Sequence, residues 1–224
     1  MPTEIKICGL SEAESVDAAL EAGADLVGFV FFARSPRNIS PERAAALAER
    51  ARGRATIVAL TVDAEPAFLA DLVTTMRPDL LQLHGRETPE CVEAIRRDTG
   101  LPVMKAIGIA SAADLDRVHD YPLAETLLLD AKPPEGATRP GGNGAAFDWS
   151  LLKNFRDVRP WLLSGGLDAA NVAAALAATG APGVDVSSGV ESAPGRKDSG
   201  MIRDFIAVVR AAGAALPDGT RGAA

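Results

Sequence analysis

The chain has 224 residues, with 23 basic and 30 acidic side chains and a net charge of −7 at neutral pH. This length suits one well-cored domain, and an acidic chain without a basic cluster argues against a nucleic-acid-binding protein. The longest apolar run covers residues 26–33, whereas a membrane-spanning helix takes about 20 apolar residues.

The cysteines and the start of the chain bear on the cellular compartment. Cys8 and Cys91 show no spacing typical of a metal site or of a disulfide framework, so we expect reduced thiols and no bound metal. Met1–Glu4 has neither the cationic segment nor the apolar core of a secretory leader. We therefore expect a cytoplasmic protein.

Short apolar runs alternate with longer, alanine-rich amphipathic stretches, which is the pattern of strand and helix units in a parallel sheet. The predicted strands are Glu4–Cys8, Leu26–Phe31, Thr56–Thr61, Leu80–Leu83, Val103–Ile107, Thr126–Leu129, Trp161–Ser164 and Val184–Val186. The predicted helices begin near Ser11, Pro41, Glu65, Thr88, Ser111, Asp148, Ala169 and Asp198. Two of these starts carry helix-capping signals: Ser11 with Glu14, and Thr88 followed by Pro89.

Eight such units with short connections favour a closed (β/α)8 barrel, the TIM-barrel architecture of the α/β class, over an open doubly wound sheet. We assign the barrel to residues 1–216 and a frayed tail to residues 217–224. Two long polar loops, Phe32–Ser40 and Ala131–Phe147, follow the second and sixth strands, on the face where barrels keep their chemistry. The glycine-rich stretch Gly141–Gly144 suits either a lid or close approach of a substrate.

Two glycine-rich runs follow the last two strands, at Ser164–Leu167 and Ser187–Glu191. A phosphate needs backbone N–H donors at close range, and residues without a Cβ allow two loops to approach the same anion. The seventh and eighth units of a barrel commonly form such a site. The sequence therefore predicts a phosphorylated substrate.

Cys8 and Asp130 end the first and sixth predicted strands, so both are expected at the barrel mouth. Cys8 alone could be a small packing residue, and Asp130 alone could cap a helix or pair with Lys132. Together they have the placement of a base and an acid that act on one small molecule from different sides. A basic role for Cys8 requires the thiolate form.

Other residues at the same face are candidates for substrate binding. Arg37, on the second loop, suits a carboxylate, with Arg34 the weaker alternative. His84 follows the fourth strand, and Asp185 lies in the eighth, where it faces either the barrel or the helices. Four residues are not assigned to the site. Cys91, Trp149 and Trp161 are interpreted as packing residues, and His119 is interpreted as solvated.

Motifs in a fixed order along nearly the whole chain carry a resemblance to a known family. They are Lys6–Gly9, Gly28–Phe31 with Ser35–Arg37, Gln82–Gly85, Leu129–Asp130, Gly141–Gly144, Ser164–Leu167 and Asp185–Glu191, followed by Gly195–Asp198. In this order they resemble phosphoribosylanthranilate isomerase of tryptophan biosynthesis. The chain departs from the usual family pattern at Asn143, Ser164 and Thr61, which leaves the acid, the base and the anion contacts in place.

The resemblance implies a cofactor-free Amadori rearrangement of N-(5-phosphoribosyl)anthranilate to 1-(2-carboxyphenylamino)-1-deoxyribulose 5-phosphate. Asp130 would protonate the ring oxygen if burial holds it protonated, and the Cys8 thiolate would remove the proton from ribose C2. The resemblance implies substrate binding by Arg37, Gln82, His84, Gly142, Asn143 and Asp185. It implies phosphate binding through the backbone amides of Gly165, Gly166, Ser188 and Gly189.

Three alternatives remain open. The related isomerase of histidine biosynthesis, or a dual-substrate version, typically has aspartate where Cys8 stands and takes a substrate with two phosphates. Tryptophan synthase α-type barrels share the phosphate site but rely on a paired acid arrangement that is not found here. A barrel without catalysis could serve as a phosphosugar-binding or scaffold protein, in either a monomeric or a homodimeric form. Turnover separates this last alternative from an enzyme.

Overall fold

The computed structural model describes residues 2–133, 136, 141–142 and 146–215. Eight parallel strands form a closed barrel in chain order, and the eighth strand pairs with the first. The predicted (β/α)8 barrel is confirmed. The predicted tail, residues 217–224, and the substrate-binding candidate Asn143 lie outside the described residues.

The strands and helices alternate as the sequence pattern predicts. The barrel strands are β1 (Glu4–Cys8), β2 (Leu26–Phe31), β3 (Thr56–Thr61), β4 (Leu80–Leu83), β5 (Val103–Ile109), β6 (Thr126–Ala131), β7 (Trp161–Leu163) and β8 (Gly183–Val186). The helices are α1 (Ala13–Ala22), α2 (Pro41–Ala48), α3 (Pro66–Met76), α4 (Pro89–Thr99), α5 (Ala112–Asp116), α6 (Val172–Thr179) and α7 (Ser199–Ala215). A short hairpin of β9 (Glu191–Ala193) and β10 (Arg196–Lys197), which was not predicted, lies between β8 and α7.

The first four strands have the predicted bounds, while β5 and β6 each run two residues further than predicted. Their added residues pair with each other, Gly108 with Asp130 and Ile109 with Ala131. Asp130 therefore lies inside β6 instead of following it. This placement fixes its backbone by pairing with β5.

Two helix predictions were wrong. The helix predicted near Asp148 is a single 3-10 turn over Trp149–Leu152. Arg156 Nη1 donates to the Phe155 carbonyl oxygen at 2.6 Å, an acceptor that a continuing helix would use for its own backbone. The cap predicted at Ser11 is also absent, because α1 begins after Glu12 and Arg43 binds the Ser11 carbonyl oxygen.

The predicted cap at Thr88 is confirmed: its hydroxyl accepts from the Cys91 N–H at 3.3 Å, and Pro89 opens α4. Cys91 itself is exposed, so its interpretation as a packing residue was wrong. It lies in the first turn of α4. Trp161 is buried as predicted and meets Phe155 edge to face, and Trp149 is half-buried.

Apolar side chains fill the barrel interior and the layer between strands and helices. Because both faces of a barrel strand are covered, the strands are nearly continuous apolar runs, and all six residues of β2 are buried. The interior cluster is formed by Leu26, Val58, Leu80, Met104, Ala106, Leu128 and Leu162. It closes the barrel below the mouth. No described helix has the length and apolar character needed to cross a membrane.

Candidate active site

The carboxyl ends of the barrel strands surround one cleft of about 780 Å³, part of it open to solvent. Residues predicted from distant parts of the sequence meet on its walls. Those lining it include Cys8, Arg37, His84, Asp130, Gly142, Gly165, Gly166, Asp185 and Ser188. Two predicted site residues, Gln82 and Gly189, lie behind the walls.

Cys8 is the last residue of β1 and is 3% exposed at the floor of the cleft. Burial raises the pKa of its thiol, and the nearby Lys6 ammonium group acts in the opposite direction. The backbone is held as well, since Ser187 Oγ donates to the Cys8 carbonyl oxygen at 3.1 Å. The sulfur is thus a buried nucleophilic group in contact with the cleft.

Asp130 faces the same cleft from β6 and is 5% exposed. Its Oδ1 accepts from the Ala131 N–H at 2.9 Å, and its Oδ2 lies 3.1 Å from Nε2 of His84. The alternative ion pair with Lys132 is not formed, because that side chain reaches Asp114 instead, at 3.4 Å. The carboxyl group is therefore oriented by two hydrogen-bond partners.

Gln82 and His84 form a chain behind Asp130. Gln82 Nε2 lies 2.9 Å from His84 Nδ1, and the Gln82 side chain is wholly buried. With the amide nitrogen as donor, Nδ1 accepts and the neutral ring carries its proton on Nε2, facing Asp130. His84 thus contacts both the cleft and the candidate acid, while Gln82 contacts the ring and not the cleft.

Arg37 is buried at 4% exposure and held by a carboxylate that sequence reasoning did not assign to it. Its Nε and Nη2 donate to Oε1 and Oε2 of Glu191 at 2.6 and 2.8 Å. A Cβ at Gly142 would stand 2.6 Å from Nη1, so the third guanidinium nitrogen lies against the cleft-lining glycine. The salt bridge to Glu191 therefore fixes the guanidinium group of Arg37 with Nη1 toward the cleft.

The β9–β10 hairpin brings a second cation to this cluster. Lys197 Nζ donates to Glu191 Oε1 at 2.8 Å and to the Ser187 carbonyl oxygen at 2.9 Å. Burial lowers the pKa of Lys197 to about 8, despite the opposing attraction of Glu191. Burial alone would raise the pKa of Glu191, but its bonds to Arg37 and Lys197 hold it below the ordinary value.

Asp185 points into the barrel, which settles the orientation that the strand pattern left open. Its Oδ1 accepts from Lys6 Nζ at 2.7 Å, and its Oδ2 accepts from Ser164 Oγ at 3.0 Å. Asp185 also lines the floor of the cleft. The carboxylate is thus already paired within the protein.

The two glycine-rich loops touch each other, as the sequence predicts. A Cβ on Gly189 would collide with the Leu167 carbonyl oxygen, and a Cβ on Gly165 would stand 2.7 Å from the Ala131 nitrogen. Gly165 also has a φ of 93°, which favours glycine. Within the described part of the chain, no acceptor is found for the N–H groups of Gly165, Gly166, Ser188 and Gly189.

Sequence reasoning assigned no role to four polar residues of this site: Lys6, Ser187, Glu191 and Lys197. One feature of the sequence could have indicated such a role. Lys6 is a charged residue inside the apolar strand β1, two positions before Cys8. Across the described ranges, no group of three His, Cys, Asp or Glu residues is arranged to hold a metal ion.

Comparisons with known proteins were made on the whole sequence and on the fold. Residues 5–208 match the family model of N-(5'-phosphoribosyl)anthranilate (PRA) isomerase. The isomerase of that name from Paramagnetospirillum magneticum is 56% identical over 211 residues, which covers 94% of this chain and 98% of the relative. A Rhodopseudomonas palustris relative of the same name is 58% identical over 94% of this chain and 97% of its own.

Solved structures agree with the sequence relatives. Phosphoribosyl anthranilate isomerase from Thermotoga maritima superposes with a TM-score of 0.84 at 38% identity, covering 93% of this chain and 99% of that one. A second solved isomerase, in complex with reduced 1-(o-carboxyphenylamino)-1-deoxyribulose 5-phosphate, has a TM-score of 0.81 at 35% identity with the same coverage. The chain thus belongs to the phosphoribosylanthranilate isomerase family, whose members carry out an aldose–ketose rearrangement in tryptophan biosynthesis.

Proposed function

We propose that Cys8 and Asp130 are the base and the acid of this rearrangement. The substrate is N-(5-phosphoribosyl)anthranilate and the product is 1-(2-carboxyphenylamino)-1-deoxyribulose 5-phosphate. One observation carries the assignment: a thiol and a carboxyl group, from strands three positions apart around the closed barrel, line the same cleft. Both are group types that transfer protons in enzymes.

The first step opens the furanose ring. The Asp130 carboxyl group donates a proton to the ring oxygen as the bond from that oxygen to C1 breaks, and the anilino nitrogen lone pair forms a C1–N double bond. The Asp130 Oδ2 that faces His84 and the Oδ1 bound by Ala131 keep the carboxyl group in one orientation. A fixed orientation favours transfer to one substrate atom.

The second step moves a proton from carbon to the base. The Cys8 thiolate removes the proton from ribose C2, and the electron pair of that C–H bond becomes the C1–C2 double bond of an enolamine. The enolamine then takes a proton at C1 and loses the one on the C2 hydroxyl, which leaves the ketone. The proposed steps need proton donors and acceptors but no electron acceptor.

The anionic ends of the substrate match donors at two parts of the cleft. Backbone N–H groups of Gly165, Gly166, Ser188 and Gly189 support the proposal that the phosphate binds between the two glycine-rich loops. Arg37 faces the cleft at the other loop and suits the anthranilate carboxylate. Val30, Phe32, Leu60 and Val62 form an apolar wall of the same cleft, which suits the aromatic ring. Binding of the phosphate and of the carboxylate orients the reacting carbons of the substrate.

The test is the loss of anthranilate-type fluorescence when freshly generated phosphoribosylanthranilate is mixed with protein. We expect conversion by the wild type and a loss in kcat of about 10²-fold or more in Cys8→Ser and in Asp130→Asn. Cys91→Ser and Asp98→Asn change the same residue types at exposed positions of α4 and are expected to keep wild-type turnover.

Each unfavourable outcome has a distinct meaning. Full activity in Cys8→Ser or Asp130→Asn would overturn that residue's role. A folded wild-type protein that binds the substrate without converting it would overturn the enzymatic function and favour a phosphosugar-binding barrel.

We further propose that the protein works in the cytoplasm, with both cysteines reduced, as a monomer or a homodimer. Both Cys8 and Cys91 are free thiols in the structure. Among the solved relatives, the Thermotoga maritima isomerase has been described as a dimeric enzyme from which monomers were generated.

A further inference from the structure

Lys6 is a wholly buried cation that the proposed chemistry does not use. It stands two residues before Cys8 on β1, so both side chains project into the barrel interior. Its Nζ pairs with Asp185 Oδ1 at 2.7 Å, and neither side chain is more than 5% exposed. A buried charge is costly unless its partners offset the loss of hydration. The groups that surround Lys6 therefore indicate its role.

Lys105 provides a comparison within the same barrel. Its Nζ donates to three oxygen atoms, those of the Leu83 and Gly85 carbonyl groups and Oε2 of Glu87, at 2.7 to 3.2 Å. Lys6, buried to the same extent, has one oxygen acceptor among the described residues, on Asp185. An ammonium group has three N–H donors. Asp185 accepts from one of them, so Lys6 has further N–H groups that face a neighbour other than an oxygen atom.

Cys8 is a close neighbour of the Lys6 ammonium group. A Cβ at Gly28, on the neighbouring strand, would stand 3.1 Å from the Cys8 sulfur and 3.2 Å from Lys6 Nζ. Both atoms therefore lie over the same glycine, in space that any larger residue would fill. The positive charge of Lys6 favours the thiolate form of Cys8 and acts to lower the pKa of the thiol.

The charges around Cys8 favour an anion at the sulfur. Asp185 from β8 and Lys6 from β1 balance each other, while Lys197 from β10 and Arg37 share Glu191. β2 contributes Gly28 and Val30 on this side, and Asp130 with His84 faces Cys8 across the cleft. Of the charged groups that act on the thiol, Lys6 and Lys197 lower its pKa and Asp185 raises it, so cations outnumber carboxylates around the sulfur.

We propose that Lys6 is a positioning residue that supplies the positive charge against which Cys8 ionises, with Asp185 holding the ammonium group beside the sulfur. This inference rests on the proposed role of Cys8 as the base. Burial alone would lower the pKa of Lys6, but Asp185 and Cys8 raise it above its ordinary value, which favours the charged ammonium form.

The test titrates the Cys8 thiol by the ultraviolet absorbance of the thiolate. A Cys91→Ser background leaves Cys8 as the only cysteine of the chain. Lys6→Met keeps an unbranched side chain without the charge, and we expect the thiol pKa to rise by about one unit or more. Asp185→Asn removes a carboxylate that raises the pKa of Cys8, so we expect a shift in the opposite direction. Lys105→Met, a buried lysine outside this cluster, is expected to leave the titration unchanged.

Opposite shifts in Lys6→Met and Asp185→Asn support the proposal, because general loosening of the barrel would move both in the same direction. Shifts of the same sign, or a folded Lys6→Met with the wild-type titration, would overturn it. If Lys6→Met does not fold, Lys6→Gln takes its place as a second uncharged variant: a higher thiol pKa supports the proposal, and the wild-type titration overturns it.

The kinetic readout separates this proposal from the proposed function. In Lys6→Met we expect kcat at neutral pH to fall about 10-fold for each unit by which the thiol pKa rises, with little change in KM. The titration itself uses no substrate. Full turnover by Cys8→Ser would therefore overturn the role of the base without altering the titration result.

Discussion

Arg37 shows how a single residue is prepared for its ligand. Two of its guanidinium nitrogens are engaged by Glu191, and this pair is buried at the edge of the cleft. The bond to Glu191 fixes the direction of the third nitrogen, so little side-chain entropy remains to be lost when a carboxylate binds. Preorganisation of this kind increases affinity without adding a contact.

Arg37→Lys is expected to raise KM for phosphoribosylanthranilate by about 10- to 100-fold, with a smaller effect on kcat. A lysine ammonium group is a single point charge, so it cannot bind Glu191 in a fork and also face the substrate carboxylate. Steady-state kinetics by fluorescence measures both constants. Arg34→Lys makes the same change at an exposed position of the same loop and should keep the wild-type KM. A wild-type KM in Arg37→Lys would contradict the assignment.

Residues at strand ends were the predictable part of the site. Cys8 and Asp130 interrupt or end apolar runs, so their position at the barrel mouth follows from the strand pattern alone. The partners of these residues were not predictable in the same way, because Lys6 and Asp185 are 179 positions apart and Arg37 and Glu191 are 154 apart. Only the closed barrel brings them together.

At the scale of elements, the β9–β10 hairpin supports the loop that carries Arg37. Glu191 and Lys197 both belong to the hairpin, and Gly195 in its turn lies against the Pro36 carbonyl group. Strands of three and two residues are too short to show an alternating pattern, so the sequence gives no signal for this hairpin. The packing of Gly195 on Pro36 joins the eighth unit of the barrel to the second.

Gly195→Ala is expected to destabilise the protein and to raise KM. Gly195 has a φ of 81°, and an added Cβ would collide with the Pro36 carbonyl oxygen and displace the neighbouring Arg37. Gly53→Ala is the matched control: its φ is 71°, but no atom lies within 4 Å of its Cβ position. We expect a loss in unfolding free energy of about 1 kcal/mol for Gly53→Ala and a larger loss for Gly195→Ala.

Urea unfolding and substrate kinetics on the two variants separate backbone strain from the contact with Pro36. An increase in KM confined to Gly195→Ala supports the role of the hairpin. Equal losses of stability together with wild-type KM values in both variants would show that the contact with Pro36 does not position Arg37.

At the scale of the whole molecule, closure of the barrel brings residues with weak individual sequence signals together in one site. The count of eight units was enough to predict the architecture, since strands buried on both faces show as apolar runs regardless of their partners. The segment after Asp148 was mispredicted, because side chains such as Arg156 take its backbone acceptors. Closure then sets the thiol on β1 and the carboxyl group on β6 at the walls of one cleft.

The most direct test of this account follows the proton that the base removes. With substrate deuterated at ribose C2, the account predicts that the wild-type protein turns over more slowly than with unlabelled substrate and releases the label to water. It predicts that folded Cys8→Ser binds the substrate but releases label no faster than the uncatalysed reaction, while Cys91→Ser behaves as the wild type. Release of label by Cys8→Ser at the wild-type rate would contradict the central claim that Cys8 is the base.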